Sequence, residues 1–285
     1  MRWQGRRSSQ NVEDRRGSGI ARKAGGGGIG VIVLALIAMY FGVDPSIILN
    51  QGGGMLGGSG TESVQYQPTE EEQQLAGFVS VVLADTEDAW NRVFERLGRR
   101  YQEPKLVLFS GSVESACGLG QAAMGPFYCP ADQKAYIDLS FYRDLKLRHQ
   151  APGDFAQAYV IAHEIGHHVQ NLLGISSKVQ QARQQLGRTE SNALSVKLEL
   201  QADCLSGVWA HDADRTRQLL ESGDVEEALN AASAIGDDRL QKQTRGYVTP
   251  ESFTHGTSAQ RVFWFKKGLK EGNINVCNTF ESRQL

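Results

Sequence analysis

The residues with the clearest chemical signature are His163, Glu164 and His167, which form an HExxH motif. On an α-helix, residues four apart lie on one face, so the two imidazoles can bind one Zn²⁺ ion. Glu164 lies beside them and can activate a water molecule as a general base. The motif predicts a hydrolytic zinc site, and the alternative is a pair of structural histidines on an amphipathic helix. His168 points about 100° away from the motif face, and a structural role is expected for it.

A catalytic zinc ion takes three protein ligands and keeps one position open. The longer pattern HExxHxxGxxH is absent, because Gln170 and Leu173 stand where it needs glycine and histidine. We therefore expect Glu199 to be the third ligand and Asp203, one helical turn later, to accept the free ring N–H of a ligating histidine. By itself this acidic pair would be typical of a solvated helix face, but after HExxH it indicates a metal site.

The motif HEIGH followed by ELQAD is similar to the gluzincin arrangement of zinc peptidases. Four further segments, at residues 125–130, 136–142, 236–241 and 253–261, resemble those of the bacterial neutral zinc metallopeptidases, which are membrane-anchored. The resemblance extends essentially from end to end. It implies a zincin-like catalytic domain, one bound Zn²⁺ ion and a single-pass anchor.

His255 and Arg261 form an H-x5-R pattern. A capping box of Thr257 and Gln260 predicts the start of a helix, so His255 lies just before this helix and Arg261 lies within it. The pattern is similar to one in membrane-embedded zinc metallopeptidases, whose histidine and arginine line the active site. The resemblance implies that His255 or Arg261 stabilises the oxyanion of a tetrahedral intermediate. The alternative is a histidine near a helix start and a surface arginine.

The elements that position these residues follow from the apolar pattern. A capping box of Asp154 and Gln157 predicts the start of a helix over 154–174, and helices are also predicted over 75–97 and 190–211. Strands are predicted at 105–110, 127–129 and 134–139, the last two as a hairpin. The predicted fold class is α+β: a zincin-like domain, mostly helical with a small N-terminal sheet, preceded by one transmembrane helix. A peptide substrate is expected along the sheet edge at 134–139.

The first 24 residues carry seven Arg or Lys against two acidic residues, a balance of +5, so the remainder sums to -7 given the net charge of -2. Residues 25–43 are uncharged and long enough to cross a bilayer as a helix. We therefore expect a basic cytoplasmic tail (1–24), a signal anchor in the inner membrane (25–43), a Gly/Ser/Gln-rich linker (44–73) and a periplasmic or extracellular catalytic domain (74–285). The alternatives are a buried core helix and a cleaved signal peptide.

The four cysteines are too far apart for a CxxC metal or redox motif. Outside the cytoplasm an even number indicates disulfides, of which three connectivities are possible. Pairing of Cys117 with Cys129 and of Cys204 with Cys277 is favoured, and the alternative is four buried thiols.

The sequence thus predicts a zinc metalloendopeptidase that acts on exported or membrane-proximal polypeptides. Its predicted partners are the polypeptide substrate and the lipid bilayer. A nucleic-acid role is excluded, because the body has no basic surface and the tail has no series of stacking aromatics. The alternative function is a zinc-stabilised binding or scaffold protein of the cell envelope that does not catalyse a reaction.

Overall fold

The computed structural model describes residues 1–17 and 66–282. Within them, residues 1–16 pack together with the chain from Pro68 onward. The strands are β1 Val12–Asp14, β2 Lys105–Phe109, β3 Ser112–Ser115, β4 Gly118–Gln121, β5 Phe127–Cys129 and β6 Lys134–Asp138. The α-helices are α1 Glu70–Arg96, α2 Ser140–Leu147, α3 Asp154–Leu172, α4 Ile175–Arg183, α5 Arg188–Arg217, α6 Asp224–Ala234, α7 Asp237–Arg245 and α8 Ser258–Glu271. Three short 3₁₀ helices are Ala122–Met124, Pro250–Ser252 and Ile274–Cys277.

A four-stranded sheet with the order β1-β2-β6-β5 supports the helices, and β3 and β4 form a separate hairpin. β2 pairs in parallel with both β1 and β6, whereas β5 pairs antiparallel with β6. Alternate residues of a strand face opposite sides of the sheet. Leu106 and Leu108 accordingly join the main core with the helices, whereas Val107 and Phe109 pack in a smaller cluster with Val113 of the β3–β4 hairpin.

Three long helices carry the predicted site residues, and glycines let these helices approach closely. A Cβ at Gly166 of α3 would lie 3.0 Å from the backbone oxygen of Ala202 in α5. A Cβ at Gly268 of α8 would lie 1.9 Å from the backbone oxygen of Cys204, also in α5. Larger residues at either position would separate the helices. The glycines therefore set the distances over which α3, α5 and α8 bring their side chains together.

The local predictions had mixed outcomes. The strand hairpin of β5 and β6 is confirmed, as are both disulfides, Cys117–Cys129 and Cys204–Cys277. The capping box that begins α8 is also confirmed. The capping box predicted for α3 is wrong: the N-cap residue is Gly153, which has no side chain to accept a hydrogen bond from the first turn. Asp154 instead lies in the first turn of α3, where its negative charge interacts favourably with the positive end of the helix dipole.

The basic N-terminal segment packs into the body instead of forming a separate tail. Val12 in β1 pairs with Leu106 in β2, and the Arg7 guanidinium donates hydrogen bonds to Glu87 at 3.0 Å and to Asp88 at 2.8 Å. Residues 1–16 therefore belong to the same packed unit as the chain from Pro68 onward. The predicted membrane topology stays a prediction. Charge patterning suggested a separate tail, but Arg7 has acidic partners on α1.

The predicted fold class needs a correction at its membrane component. The described part of the chain is mostly helical with two small sheets. None of its helices combines the length and the apolar character that crossing a bilayer requires. The predicted anchor at 25–43 and residues 44–65 of the predicted linker lie outside the described residues, whereas residues 70–73 of that linker belong to α1.

Candidate metal centre

The structure brings together the three predicted metal ligands. His163 and His167 project from one face of α3, and Glu199 projects toward them from α5. One ligand atom from each residue lies within 4.8 Å of the others. The Nε2 atoms of His163 and His167 are 3.1 Å and 3.4 Å from the nearer oxygens of Glu199.

These distances fit a tetrahedral zinc site. Zinc binds nitrogen and carboxylate oxygen at about 2.0–2.2 Å, so two ligand atoms on a tetrahedron are about 3.3–3.5 Å apart. The observed spacings, 3.1 Å to Oε2 and 3.4 Å to Oε1, are close to that edge, and they end on the two different oxygens of Glu199. Two imidazoles and a carboxylate are also a donor set that zinc accepts in catalytic sites. The residues present therefore fit one Zn²⁺ ion with a position left open.

Glu164 lies next to the three ligands and lines the same cleft. Its side chain is buried, and burial raises the pKa of its carboxyl group. His163 and His167 act in the opposite direction, because their positive charges favour the carboxylate. A carboxylate with a raised pKa is a stronger base, so Glu164 is suited to accept a proton from water.

Asp203 contacts the first histidine ligand, as the sequence analysis expected for one of the two histidines. Its Oδ1 lies 2.8 Å from Nδ1 of His163, which leaves Nε2 directed toward Glu199. Burial favours the neutral acid, but the charges of Arg261 and His163 lower the pKa of Asp203 to about 2. Asp203 is therefore an ionised acceptor for the N–H of His163.

Arg261 lines the cleft, and its guanidinium contacts Asp203. Its Nε and Nη2 atoms each lie 2.9 Å from a different Asp203 oxygen, and the side chain is nearly fully buried. Tyr159, one turn before His163, donates its hydroxyl to the same carboxylate. Arg261 is thus placed to act through Asp203, and the oxyanion role that the family resemblance implied for it stays a prediction.

His255 lies at the rim of the cleft with about half of its side chain exposed. Its Nδ1 is 3.3 Å from Asp237, whose other oxygen accepts the backbone N–H groups of Thr254, His255 and Gly256. Asp237 therefore fixes the loop that carries His255. Both residues with an implied oxyanion role line the cleft, but Arg261 is nearly fully buried whereas about half of the His255 side chain is exposed.

His167 has a partner that the sequence analysis did not identify. Nδ1 of His167 lies 2.9 Å from Oε1 of Gln170, and the Gln170 side chain is fully buried. Tyr159 was missed as well. A possible signal was the helical spacing, since Tyr159 precedes His163 by four residues and Gln170 follows His167 by three.

His168 has the structural role that was expected of it. Its Nε2 donates to the backbone oxygen of Gln102 at 2.6 Å, and its Nδ1 accepts from the Tyr128 hydroxyl at 2.9 Å. Burial lowers its pKa to about 4, so the ring is neutral near pH 7. His168 therefore ties α3 to β5, and it does not face the metal ligands.

A cleft of about 1190 Å³ opens over the metal ligands. β5 contributes Phe127 and Tyr128 to its wall, and Met124 lies exposed beside them. The prediction that substrate would lie along 134–139 is wrong, because β6 has a partner strand on each side, β2 and β5. Among the described strands, β5 is the sheet edge that borders the cleft.

Comparison with known proteins agrees with this geometry. The family model described as "Putative neutral zinc metallopeptidase" matches residues 1–280. The chain is 53% identical to "Uncharacterized protein YpfJ" of Escherichia coli K12 over 293 aligned residues, which cover 98% of this chain and 99% of that protein. It is 38% identical to "Uncharacterized protein Rv2575" of Mycobacterium tuberculosis H37Rv over 273 aligned residues, which cover 87% of this chain and 86% of that protein. No solved structure matches the chain.

Proposed function

The chain belongs to the neutral zinc metallopeptidase family, and from that membership we propose that it is an endopeptidase that hydrolyses peptide bonds at the site formed by His163, His167 and Glu199. The observation that carries this proposal is the position of Glu164. Its buried side chain lines the same cleft as the three candidate ligands, whose ligand atoms lie within 4.8 Å of one another. A purely structural ion would have no use for a base at this position.

When bound, zinc supplies Lewis acidity, which polarises the scissile carbonyl group and acidifies a water molecule. Glu164 takes the proton from the attacking water on a carboxylate oxygen. It then delivers that proton to the nitrogen of the leaving amine as the C–N bond breaks. Asp203 holds the N–H of His163 throughout, and Arg261 keeps Asp203 ionised and in place.

We place the substrate along the free edge of β5. An extended peptide there would gain backbone hydrogen bonds with little dependence on its side chains. Phe127, Met124, Val160 and Ile235 add apolar surface to the cleft, which favours polypeptide segments with exposed apolar side chains. N-methylation of single backbone nitrogens in a cleaved peptide should reduce kcat/KM at the positions that pair with β5. Equal turnover of every N-methylated peptide would contradict pairing with this strand.

The two disulfides support a location outside the reducing cytoplasm, because such bonds persist in oxidising compartments. Exported polypeptides are the substrates available there. Since residues 1–16 pack with the body, the proposed location applies to both.

The alternative of a zinc-stabilised scaffold makes a different structural prediction. Structural zinc sites are usually closed by four protein ligands. Among the described residues, this site has three, and they face an open cleft. Catalysis is therefore the better explanation of the arrangement.

Replacing Glu164 with Gln tests the proposal, because the amide keeps the shape of the side chain and removes the base. Glu164→Gln should bind zinc and unfold as the wild type does, yet cleave an unfolded protein at least about a hundredfold more slowly. The exposed Glu95→Gln is the matched control and should retain full turnover. Zinc-loaded wild type that cleaves no unfolded protein or peptide would favour the scaffold function.

A further inference from the structure

Gln170 makes a full set of hydrogen bonds in the interior behind the metal ligands. Its Oε1 lies 2.9 Å from Nδ1 of His167. Its Nε2 lies 2.7 Å from the backbone oxygen of Leu198 and 3.2 Å from Oε1 of Gln201. One side chain therefore contacts both the second histidine ligand and the residue before the carboxylate ligand, Glu199.

The backbone fixes which end of the Gln170 amide faces the histidine. A carbonyl oxygen can only accept a hydrogen bond, so the group facing the Leu198 oxygen must be the NH₂ end of the Gln170 amide. The amide oxygen then faces His167, whose Nδ1 must carry a proton to donate to it. In the neutral imidazole this leaves the Nε2 lone pair free to bind a metal.

Gln201 fixes the same polarity a second time. Its Nε2 donates to the backbone oxygen of Cys277 at 2.9 Å, so its Oε1 is the end that faces Gln170. Cys277 is held by its disulfide to Cys204 in α5. Two backbone carbonyls, of Leu198 and Cys277, thus determine the orientation of both amides and, through them, the tautomer of His167.

We propose that Gln170, oriented by Leu198 and Gln201, is a positioning residue that holds His167 as the Nδ1–H tautomer and sets it at the correct distance from Glu199. The inference rests on the metal site of the proposed function and deepens it. The two histidines are then held by different chemistry. His163 has the carboxylate of Asp203, whereas His167 has a neutral amide that adds no further negative charge to a buried site.

The amide also explains why one residue can link two helices at the metal. Gln170 is on α3 with His167, and Leu198 is on α5 next to Glu199. A hydrogen bond from Gln170 to the Leu198 oxygen therefore holds the histidine and carboxylate ligands in mutual register before a metal binds. Partners of this kind commonly contribute about 10–100-fold to metal affinity.

The test is zinc affinity, measured on the full chain by competition with a chelator of known affinity. Gln170→Met keeps the length of the side chain but removes the acceptor and the donor, and should weaken zinc binding by about 10–100-fold. The exposed Gln181→Met on α4 is the matched control and should bind as the wild type does. Gln170→Met affinity equal to that of Gln181→Met would overturn the proposal.

Gln170→Glu separates orientation of His167 from simple packing. The carboxylate can still accept a hydrogen bond from His167, so the zinc affinity of Gln170→Glu should exceed that of Gln170→Met. The same carboxylate faces the Leu198 oxygen, which it cannot pair with, so the metal-free protein should be less stable. Equal affinities of the two variants would overturn the proposal. The Co²⁺-substituted protein supplies a second readout, since its visible spectrum should change in Gln170→Met and remain unchanged in Gln181→Met.

Gln201→Met keeps the test decisive if Gln170→Glu does not fold. It removes one of the two groups that orient Gln170, so its zinc affinity should lie between those of Gln170→Met and the wild type. A zinc affinity equal to that of the wild type would show that Gln201, fixed by the Cys277 oxygen, does not orient the Gln170 amide, contrary to the proposal. None of these measurements needs a substrate, so their outcome is independent of whether the protein is a peptidase.

Discussion

Arg261→Met should destabilise the protein strongly, because it leaves a buried carboxylate without its main positive partner. Arg261 and Asp203 are only 2% and 0% exposed, and two nitrogens of the guanidinium contact the two oxygens of the carboxylate, each at 2.9 Å. Breaking a buried ion pair by removing one partner costs about 3–5 kcal/mol. For a body of this size, each kcal/mol lowers Tm by about 2–4 °C, so the expected fall is about 6–20 °C.

The assay is thermal unfolding of the zinc-loaded protein, monitored by circular dichroism, alongside kcat and KM on a cleaved peptide. The exposed Arg245→Met is the control for loss of one positive charge and should unfold with the wild type. Asp203→Asn removes the negative charge of the ion pair, and it is measured alone and combined with Arg261→Met as a double variant. The double variant should be more stable than the sum of the single losses predicts, since no unpaired buried charge remains.

This experiment separates two roles of Arg261. A group that stabilises an oxyanion directly would lower kcat by about 100–1000-fold when removed, with little change in stability. Our reasoning would be refuted by Arg261→Met unfolding within about 2 °C of the wild type while kcat falls by that factor. A large fall in Tm with a non-additive Asp203→Asn double variant would support a positioning role.

Three further predictions follow from the same structure. Zinc binding should strengthen as pH rises, because the ion must replace a proton on His163. Burial lowers the pKa of His163, but the charge of Asp203 and the hydrogen bonds to Asp203 and Glu199 outweigh burial and raise the pKa to about 10. Displacing this proton at neutral pH should weaken zinc affinity by about tenfold for each pH unit below the pKa. Titration calorimetry should therefore give a lower Kd for zinc at pH 8 than at pH 6, and equal Kd values would contradict the prediction. Replacing both cysteines of the Cys204–Cys277 disulfide with serine should cost about 4 kcal/mol in urea unfolding, against about 3 kcal/mol for the other disulfide, because the closed loops span 73 and 12 residues. Equal losses would argue against an effect of chain entropy. Deleting residues 1–16 should lower the urea midpoint by removing β1 from its pairing with β2, whereas an unchanged midpoint would mean that the segment is dispensable.

The metal ligands could be predicted from sequence because their geometry is mostly local. His163 and His167 share a helix face through the fixed pitch of the α-helix, and Glu164 follows from the same motif. Glu199 and Asp203 could be predicted because the site still required a third metal ligand and a hydrogen-bond acceptor for an imidazole N–H. The disulfide pairs were predictable for a related reason, since four cysteines allow few pairings.

The basic N-terminal segment and the substrate strand show where local patterns are not sufficient. A run of basic residues before an apolar segment resembles a cytoplasmic tail, but Arg7 pairs with two acids on α1. An alternating strand at 134–138 resembles an edge, but β1, β2 and β5 must first be placed before an edge can be recognised. In both cases the partners are distant in sequence, and a short window of residues contains no information about them.

The sequence by itself determined which atoms can bind a metal and which carboxylate can serve as a base, because those properties belong to residue types on a helix of fixed pitch. Only the tertiary structure decided what lies behind these atoms. It turned Arg261 toward Asp203, placed Gln170 against both His167 and Leu198, and left β5 at the border of the cleft. The physical reason is that hydrogen-bond partners and strand neighbours are set by how helices and strands pack, and here close contacts at Gly166 and Gly268 set that packing.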